Sequence, residues 1–153
     1  MALEKYLKKR KFEKTPEPRG KAGKKKETIF VIQKHNASHL HYDFRLEVGG
    51  VLKSWAVPKG IPKKGEKHLA VMVEDHPIEY AKFHGIIPEG NYGAGKVEIW
   101  DKGVYESLNG DVDNGLRKGV MEIKLDGKKE KGIFDLINTK FQGKKKNWLL
   151  IKR

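Results

Sequence analysis

Cysteine is absent from the chain. This excludes disulfides, zinc ribbons and thiol catalysis, and it leaves His, Asp and Glu as the side chains able to hold a metal. No apolar run approaches the length of a membrane span and no signal peptide opens the sequence, so the expected location is cytoplasmic. Acidic residues are scarce as well: twenty Asp and Glu stand against thirty-three Lys and Arg, a formal net charge of +13. Lys-rich thermophile surfaces usually carry matching Glu, and here the acids do not keep pace. So basic a balance favours polyanions over acidic small substrates, with nucleic acid as the leading partner. The 153 residues suffice for one domain with its own core.

Against that background the stretch Gln33 to Glu47, QKHNASHLHYDFRLE, stands out, with three histidines, an aspartate and an arginine in fifteen residues. From Leu40 the pattern alternates strictly, with Leu40, Tyr42, Phe44, Leu46 and Val48 on one parity and His41, Asp43, Arg45 and Glu47 on the other. Strand side chains alternate faces, so this predicts a half-buried strand. Its polar face would line up an imidazole, a carboxylate and a guanidinium at roughly 7 Å intervals. An ordinary exposed strand carries Thr, Lys, Glu or Gln. A His-x-Asp-x-Arg row instead combines two potential metal ligands with a donor suited to bidentate phosphate contact. The plainer alternative for Arg45 is a surface pair with Glu47.

Residues 1–27 hold eleven Lys or Arg and almost nothing apolar after Leu7, which reads as a basic, largely flexible arm giving sequence-independent phosphate contact. Lys14-Thr15-Pro16-Glu17-Pro18 is stiffened by its prolines and is expected to lie against the folded domain, residues 28–153. Within that domain Thr28 to Lys34 is a β-rich run leading to His35, and Asn36 to His39 reads as a turn. Gly49-Gly50 between Val48 and Val51 is a two-residue hairpin signal that would set Phe44 opposite Trp55 and Arg45 opposite Ser54. Leu69 to Val73 predicts another strand running into Glu74-Asp75-His76-Pro77, where His76 is extended because a proline follows it.

Gly90-Asn91-Tyr92-Gly93-Ala94-Gly95-Lys96-Val97 comes within one residue of a phosphate-cradling P-loop. Val97 lacks the hydroxyl that would face magnesium, and the segment leads into a strand where a helix N-terminus is required, so the match is rejected. A tight backbone turn passing near a substrate fits better. Further strands are expected at Lys96–Trp100, Val104–Glu106, Val120–Leu125, Ile133–Ile137 and Trp148–Lys152, the first two separated by a turn at Asp101-Lys102-Gly103. A short helix is expected over Asp111–Lys118. The fold class is mainly β: a small antiparallel β-barrel of about eight strands with one or two short flanking helices. Tyr42, Phe44, Trp55 and Trp100 read as core, and Trp148 as core or a base-stacking platform.

Several blocks together resemble one family, the 3'-phosphoesterase module of the bacterial multifunctional DNA ligases of non-homologous end joining, found also as a free-standing protein. The resemblance is carried by Phe30 to His35, His41 to Glu47, Ser54 to Gly60, Val73 to Pro77 and Ile87 to Gly95, and extends into Thr15 to Pro18. It implies a small β-barrel with one divalent metal, preferably manganese with cobalt or zinc as substitutes. The implied activity removes 3'-phosphates and 3'-terminal ribonucleosides from DNA or DNA/RNA primer-template ends, leaving a 3'-hydroxyl. Partners would be a separate DNA ligase and a polymerase or primase. The implied metal ligands are His35, His41 and Asp43. Arg45 and His76 would contact phosphate, supported by Gln33, Lys59 and Tyr80 and, from the arm, by Arg10 and Glu17. One departure is Arg10-Lys11-Phe12, where the family typically reads Arg-Asp-Phe.

The residues agree with this independently. Two imidazoles and a carboxylate suit Mn, Fe, Co or Zn with open positions, and Arg45 can grip phosphate oxygens while His76 donates a proton or hydrogen bond. His39, His68 and His84 read as structural or solvated. Two rival classes remain: a non-catalytic nucleic-acid-binding β-barrel, and a facial-triad Fe(II) oxygenase built on His41, Asp43 and His76.

Overall fold

The computed structural model describes residues 3–18, 28–140 and 146–153. Its centre is the hairpin of β2 (Leu40–Val48) and β3 (Val51–Val57). Gly49 and Gly50 take φ of +62° and +89°, the left-handed geometry that a two-residue turn demands. The Glu47 carboxylate accepts the Gly50 N–H at 3.0 Å. Val48 pairs with Val51, Phe44 with Trp55 and Arg45 with Ser54, the register expected from the alternation.

The remaining strands are β1 (Ile29–Asn36), β4 (Lys67–Pro77), β5 (Gly85–Ile87), β6 (Gly95–Ser107), β7 (Val120–Gly127), β8 (Lys131–Asn138) and β9 (Asn147–Lys152). Hydrogen bonding runs β1-β2-β3-β4-β9-β8-β7-β6, and β6 pairs back onto β1, closing an eight-stranded antiparallel barrel. The short β5 adds itself to the start of β6. Closure satisfies the sheet edges that an open sheet would expose. Helices α1 (Glu4–Lys8) and α2 (Val112–Lys118) flank the barrel.

Two apolar clusters arise from strand alternation. Phe30, Ile32, Phe44, Leu46, Trp55, Phe134, Leu136, Trp148 and Leu150 fill the barrel, and Trp148, only 2% exposed, is core. Val31 and Leu52 point the other way and meet Tyr6, Tyr80, Phe83 and Ile87 in a second cluster. The polar face of β2 therefore lies outside the barrel, beneath a layer made by the N-terminal segment and the chain after β4. Within that layer Ile78–Lys82 forms a 3₁₀ turn.

Two features depart from expectation. Asp101-Lys102-Gly103 is not a turn: β6 runs through it as one strand of 13 residues. The Asp101 carboxylate instead accepts backbone N–H groups of Lys128, Lys129 and Glu130 at 2.9, 3.1 and 2.8 Å, organising the β7–β8 connection. Gly103 is required by close approach, since a Cβ there would stand 2.1 Å from the Asp126 carbonyl oxygen. The N-terminal arm also differs. Residues 3–18 pack on the barrel, with Tyr6 wholly buried and Leu3 3% exposed, while residues 19–27 lie outside the described residues. Lys14 to Pro18 lies against the domain as expected, with Thr15 and Glu17 buried.

Candidate active site

The β1–β2 ladder assembles the site. His35 pairs directly with His41, and Gln33 with Asp43. Cross-strand partners hold their Cβ atoms within about 5.5 Å on one face, so four polar residues become neighbours although they belong to two strands. The His35 and His41 rings lie 4.7 Å apart. Asp43 reaches both, with Oδ2 3.4 Å from His35 Nδ1 and Oδ1 3.3 Å from His41 Nε2.

The far nitrogens fix the tautomers. His35 Nε2–H donates to the Gly93 carbonyl at 2.7 Å, and His41 Nδ1–H donates to the His39 carbonyl at 3.1 Å. Each ring thus turns a lone pair toward the Asp43 carboxylate, and the three donor atoms lie within 4.8 Å of one another. Three electron-rich groups facing one point repel unless a cation sits among them, and backbone carbonyls behind the imidazoles are the usual orienting partners of metal-bound histidine. A proton on His41 Nε2 would relieve the same repulsion, and the hydrogen bond it would make to Asp43 raises the His41 pKa despite partial burial. Burial alone would raise Asp43, but the Arg45 charge and the two imidazoles hold its carboxyl well below the usual range. The donor set fits a divalent transition metal with open positions.

Arg45 lies beside this triad, 3% exposed. Its Nε–H donates to Gln33 Oε1 at 2.7 Å, one Nη stands 3.5 Å from Asp43 Oδ2, and its guanidinium lies 4.8 Å from the Tyr80 ring centroid. The other Nη is buried without a partner. Since an unsatisfied buried charged donor is costly, this guanidinium keeps donor capacity that an anion drawn into the cleft it lines could use. The surface pairing of Arg45 with Glu47 is excluded: Glu47 is itself buried and engaged by Gly50.

Behind Arg45 the N-terminal segment supplies a second arginine. Arg10 donates to Glu17 at 2.8 Å, to Glu74 at 3.1 Å and, through its remaining Nη, to His76 Nε2 at 3.2 Å. His76 Nδ1–H donates to the Glu74 carbonyl at 2.9 Å. Burial, with the charges of Arg45 and Arg10, pushes the His76 pKa well below its ordinary value. His76 Nε2 thus accepts from Arg10, and donation from that atom to a phosphoryl group requires both that Arg10 move aside and that a proton reach Nε2. Glu17 also accepts the Tyr80 hydroxyl at 2.7 Å and the Thr15 hydroxyl at 3.0 Å. Gln33 donates to the carbonyls of Tyr80 and Phe83 at 2.8 and 3.0 Å.

Most of the expected site residues thus gather around one cleft of about 270 Å³: His35, His41, Asp43, Arg45, His76, Tyr80, Arg10 and Glu17 line it, and Gln33 braces it from below. Lys59 does not line it; it is exposed in the turn after β3. His39 and His84 are exposed, and His68 hydrogen-bonds the Gly60 carbonyl at 2.6 Å. Sequence reasoning passed over Glu74, which is buried and carries the Arg10 pair. Its spacing of two from His76 on a strand was an available signal. Gly93 contributes only a carbonyl, for which residue type gives no clue.

Fold and site together define a class: a closed antiparallel barrel whose outer face carries a His-His-Asp cluster able to hold a divalent cation beside a buried arginine with one unpartnered Nη. Comparison with known proteins then places it, because the model of the DNA Ligase D 3'-phosphoesterase domain matches residues 33–138 and the chain belongs to that family. It is 51% identical to the multifunctional non-homologous end joining protein LigD of Pseudomonas aeruginosa, over 98% of this chain and 18% of that protein. To the multifunctional non-homologous end joining DNA repair protein LigD of Mycobacterium tuberculosis it is 47% identical, over 90% of this chain and 18% of the relative. To the multifunctional non-homologous end joining protein LigD of Mycolicibacterium smegmatis the values are 48%, 94% and 19%. The chain spans about a fifth of the length of these curated relatives. Among the described residues no helix is long and apolar enough to cross a membrane.

Proposed function

We propose that the chain is a metal-dependent phosphoesterase of DNA 3' ends, removing a 3'-phosphate or a 3'-terminal ribonucleoside to leave a 3'-hydroxyl for repair by end joining. The observation that carries it is the buried, unpartnered Nη of Arg45 beside the His35-His41-Asp43 triad. An oxygenase triad of His41, Asp43 and His76 is disfavoured because the clustered donors are His35, His41 and Asp43 while His76 Nε2 is engaged by Arg10, and a passive phosphate binder has no use for two imidazoles oriented from behind.

In this reading His35, His41 and Asp43 hold one divalent ion, manganese in preference to cobalt or zinc. When bound, such an ion supplies Lewis acidity toward a phosphoryl oxygen. Arg45 donates to the other phosphoryl oxygens, with its fork aimed by Gln33 and its flat face supported by Tyr80. The contact strengthens as charge develops on those oxygens, which is where preorganised donors lower a barrier. His76 acts by holding Arg10 toward the cleft, and Glu17 and Glu74 fix Arg10 from its other edge. Lys59 and the basic arm contact DNA phosphates outside the cleft. A separate ligase and polymerase or primase would act on the same ends.

The test is incubation with labelled primer-templates ending in a 3'-phosphate or a 3'-ribonucleotide, with and without manganese. The expected result is manganese-dependent conversion of both to 3'-hydroxyl ends. Binding without any conversion would point to the non-catalytic barrel, and keto-acid-dependent oxygen consumption to the Fe(II) oxygenase.

A further inference from the structure

The loop between β5 and β6 does two things. The Gly93 carbonyl holds the His35 ring at 2.7 Å, and the residue before it, Tyr92, sets a phenol on the rim of the same cleft. Gly93 has φ +75°, and a Cβ there would stand 3.4 Å from the His35 ring, so the chain turns tightly at this point and Tyr92 is carried by a backbone locked to a metal ligand. Tyr92 also lines a narrower groove of about 130 Å³ between this loop and the N-terminal segment, together with Lys9, Lys11, Thr15 and Asn91. The Lys9 ammonium is 4.6 Å from the Tyr92 ring centroid and 3.4 Å from its hydroxyl, and it pairs with the Glu74 carboxylate at 3.2 Å, a partner it would share with an incoming phosphate.

Among the described residues Tyr92 is the one exposed Phe, Tyr or Trp side chain, 49% accessible, while Tyr6, Tyr80, Trp55 and Trp148 are buried. With Trp148 in the core, Tyr92 is the available ring at the cleft. A half-exposed ring with the Lys9 ammonium and the Arg10 guanidinium 4.6 and 5.4 Å from its centroid, and Lys11 lining the same groove, is the combination of aromatic and cation with which proteins hold single-stranded nucleic acid.

Resting on the reading of the cleft as a 3'-end site, we propose that Tyr92, Lys9 and Lys11 form the subsite for the nucleoside that carries the scissile phosphate. Its base stacks on Tyr92, and the phosphate on its 5' side meets the two ammonium groups. Every base has a π-face, so such a subsite accepts any sequence yet distinguishes a nucleoside from a bare sugar phosphate.

The full chain is titrated, without metal, into a single strand bearing 2-aminopurine as its 3'-terminal nucleotide with a free 3'-hydroxyl. Stacking is expected to quench the fluorescence, Tyr92→Trp to keep the quench, and Tyr92→Ala to remove it and weaken binding roughly 5- to 150-fold. A strand with an abasic terminal sugar should bind wild type and Tyr92→Ala alike. On base-bearing 3'-phosphate strands Tyr92→Ala should raise KM and leave kcat nearly unchanged. The proposal is overturned if the quench survives in Tyr92→Ala, or if that variant loses the same factor on abasic and base-bearing strands, which would reduce Tyr92 to a loop brace. A wild type that quenches 2-aminopurine but hydrolyses no 3' end would sink the phosphoesterase reading and leave the subsite standing. Hydrolysis without quenching would do the reverse.

Discussion

Gln33 and Arg45 sit diagonally across the β1–β2 ladder, and the Gln33 amide oxygen accepts the Arg45 Nε–H at 2.7 Å. The same amide donates to two carbonyls of the chain that covers the site. One neutral side chain thus orients the Arg45 guanidinium and pins the segment above it, at full burial.

Arg45→Ala is expected to lower 3'-phosphatase turnover by about 10² to 10³ at saturating manganese, the usual loss when a preorganised oxyanion donor is removed. Metal content should be unchanged, because a guanidinium is no ligand. Arg45→Lys should restore only part of the rate, since an ammonium lacks the planar two-donor fork. Turnover of Arg45→Ala within a fewfold of wild type would remove the clamp from the mechanism.

Reconstituted protein should hold about one divalent ion per chain, with ligand distances near 2.0 to 2.3 Å. His41→Ala and Asp43→Ala should each lose it by elemental analysis, and chelation should reversibly abolish turnover of the wild type. Wild-type metal content in both variants would place the ion elsewhere.

Tyr6 is fully buried and packs edge-on against His76 and Tyr80, with ring centroids 5.0 and 5.9 Å away. Its hydroxyl donates to the Pro18 carbonyl. Tyr6→Ala should cost about 3 kcal/mol or more in denaturant unfolding, as for other buried aromatics, and reduce turnover by loosening Arg10. A loss of DNA affinity with stability intact would instead mark the N-terminal segment as phosphate contact only.

His76 makes the stability of the metal-free protein depend on pH. In the unfolded chain its imidazole takes up a proton as pH falls through about 6.5, whereas in the fold burial and the neighbouring arginines keep it neutral to well below that. Its contribution is complete above about 6.5 and lost as pH falls further, with a slope of up to about 1.4 kcal/mol per pH unit. His41, with a raised pKa, contributes fully below 6.5 and loses its share only above it. The depressed carboxyls of Asp43 and Glu74 matter only below their ordinary values of 3.8 and 4.5. Chemical denaturation between about pH 4.5 and 6.5 therefore isolates His76, and His76→Gln, which keeps an acceptor for Arg10, should flatten the slope. An unaltered slope in that variant would assign the dependence to another group.

Period and residue type were enough to place the hairpin and its polar row. Alternation from Leu40 to Val48 sets which side chains share a face, and Gly49-Gly50 can turn left-handed where other residues resist, so the register and the His41, Asp43, Arg45 row were legible in the chain alone. The barrel class was legible too, from many short alternating strands. Tertiary packing alone decided that this polar row is buried and not solvated, because burial depends on what lies over it: Tyr6, Tyr80 and Arg10 arrive from segments distant in the chain. It also decided that Asp101 organises a neighbouring hairpin, since a carboxylate flanked by Lys and Gly looks local until the backbone amides of residues 128–130 are brought to it. The Gly93 carbonyl was invisible for the same reason, and Glu74 was hinted at only by its spacing of two from His76: the partners that give both their roles come from other strands and loops, which residue spacing alone does not name.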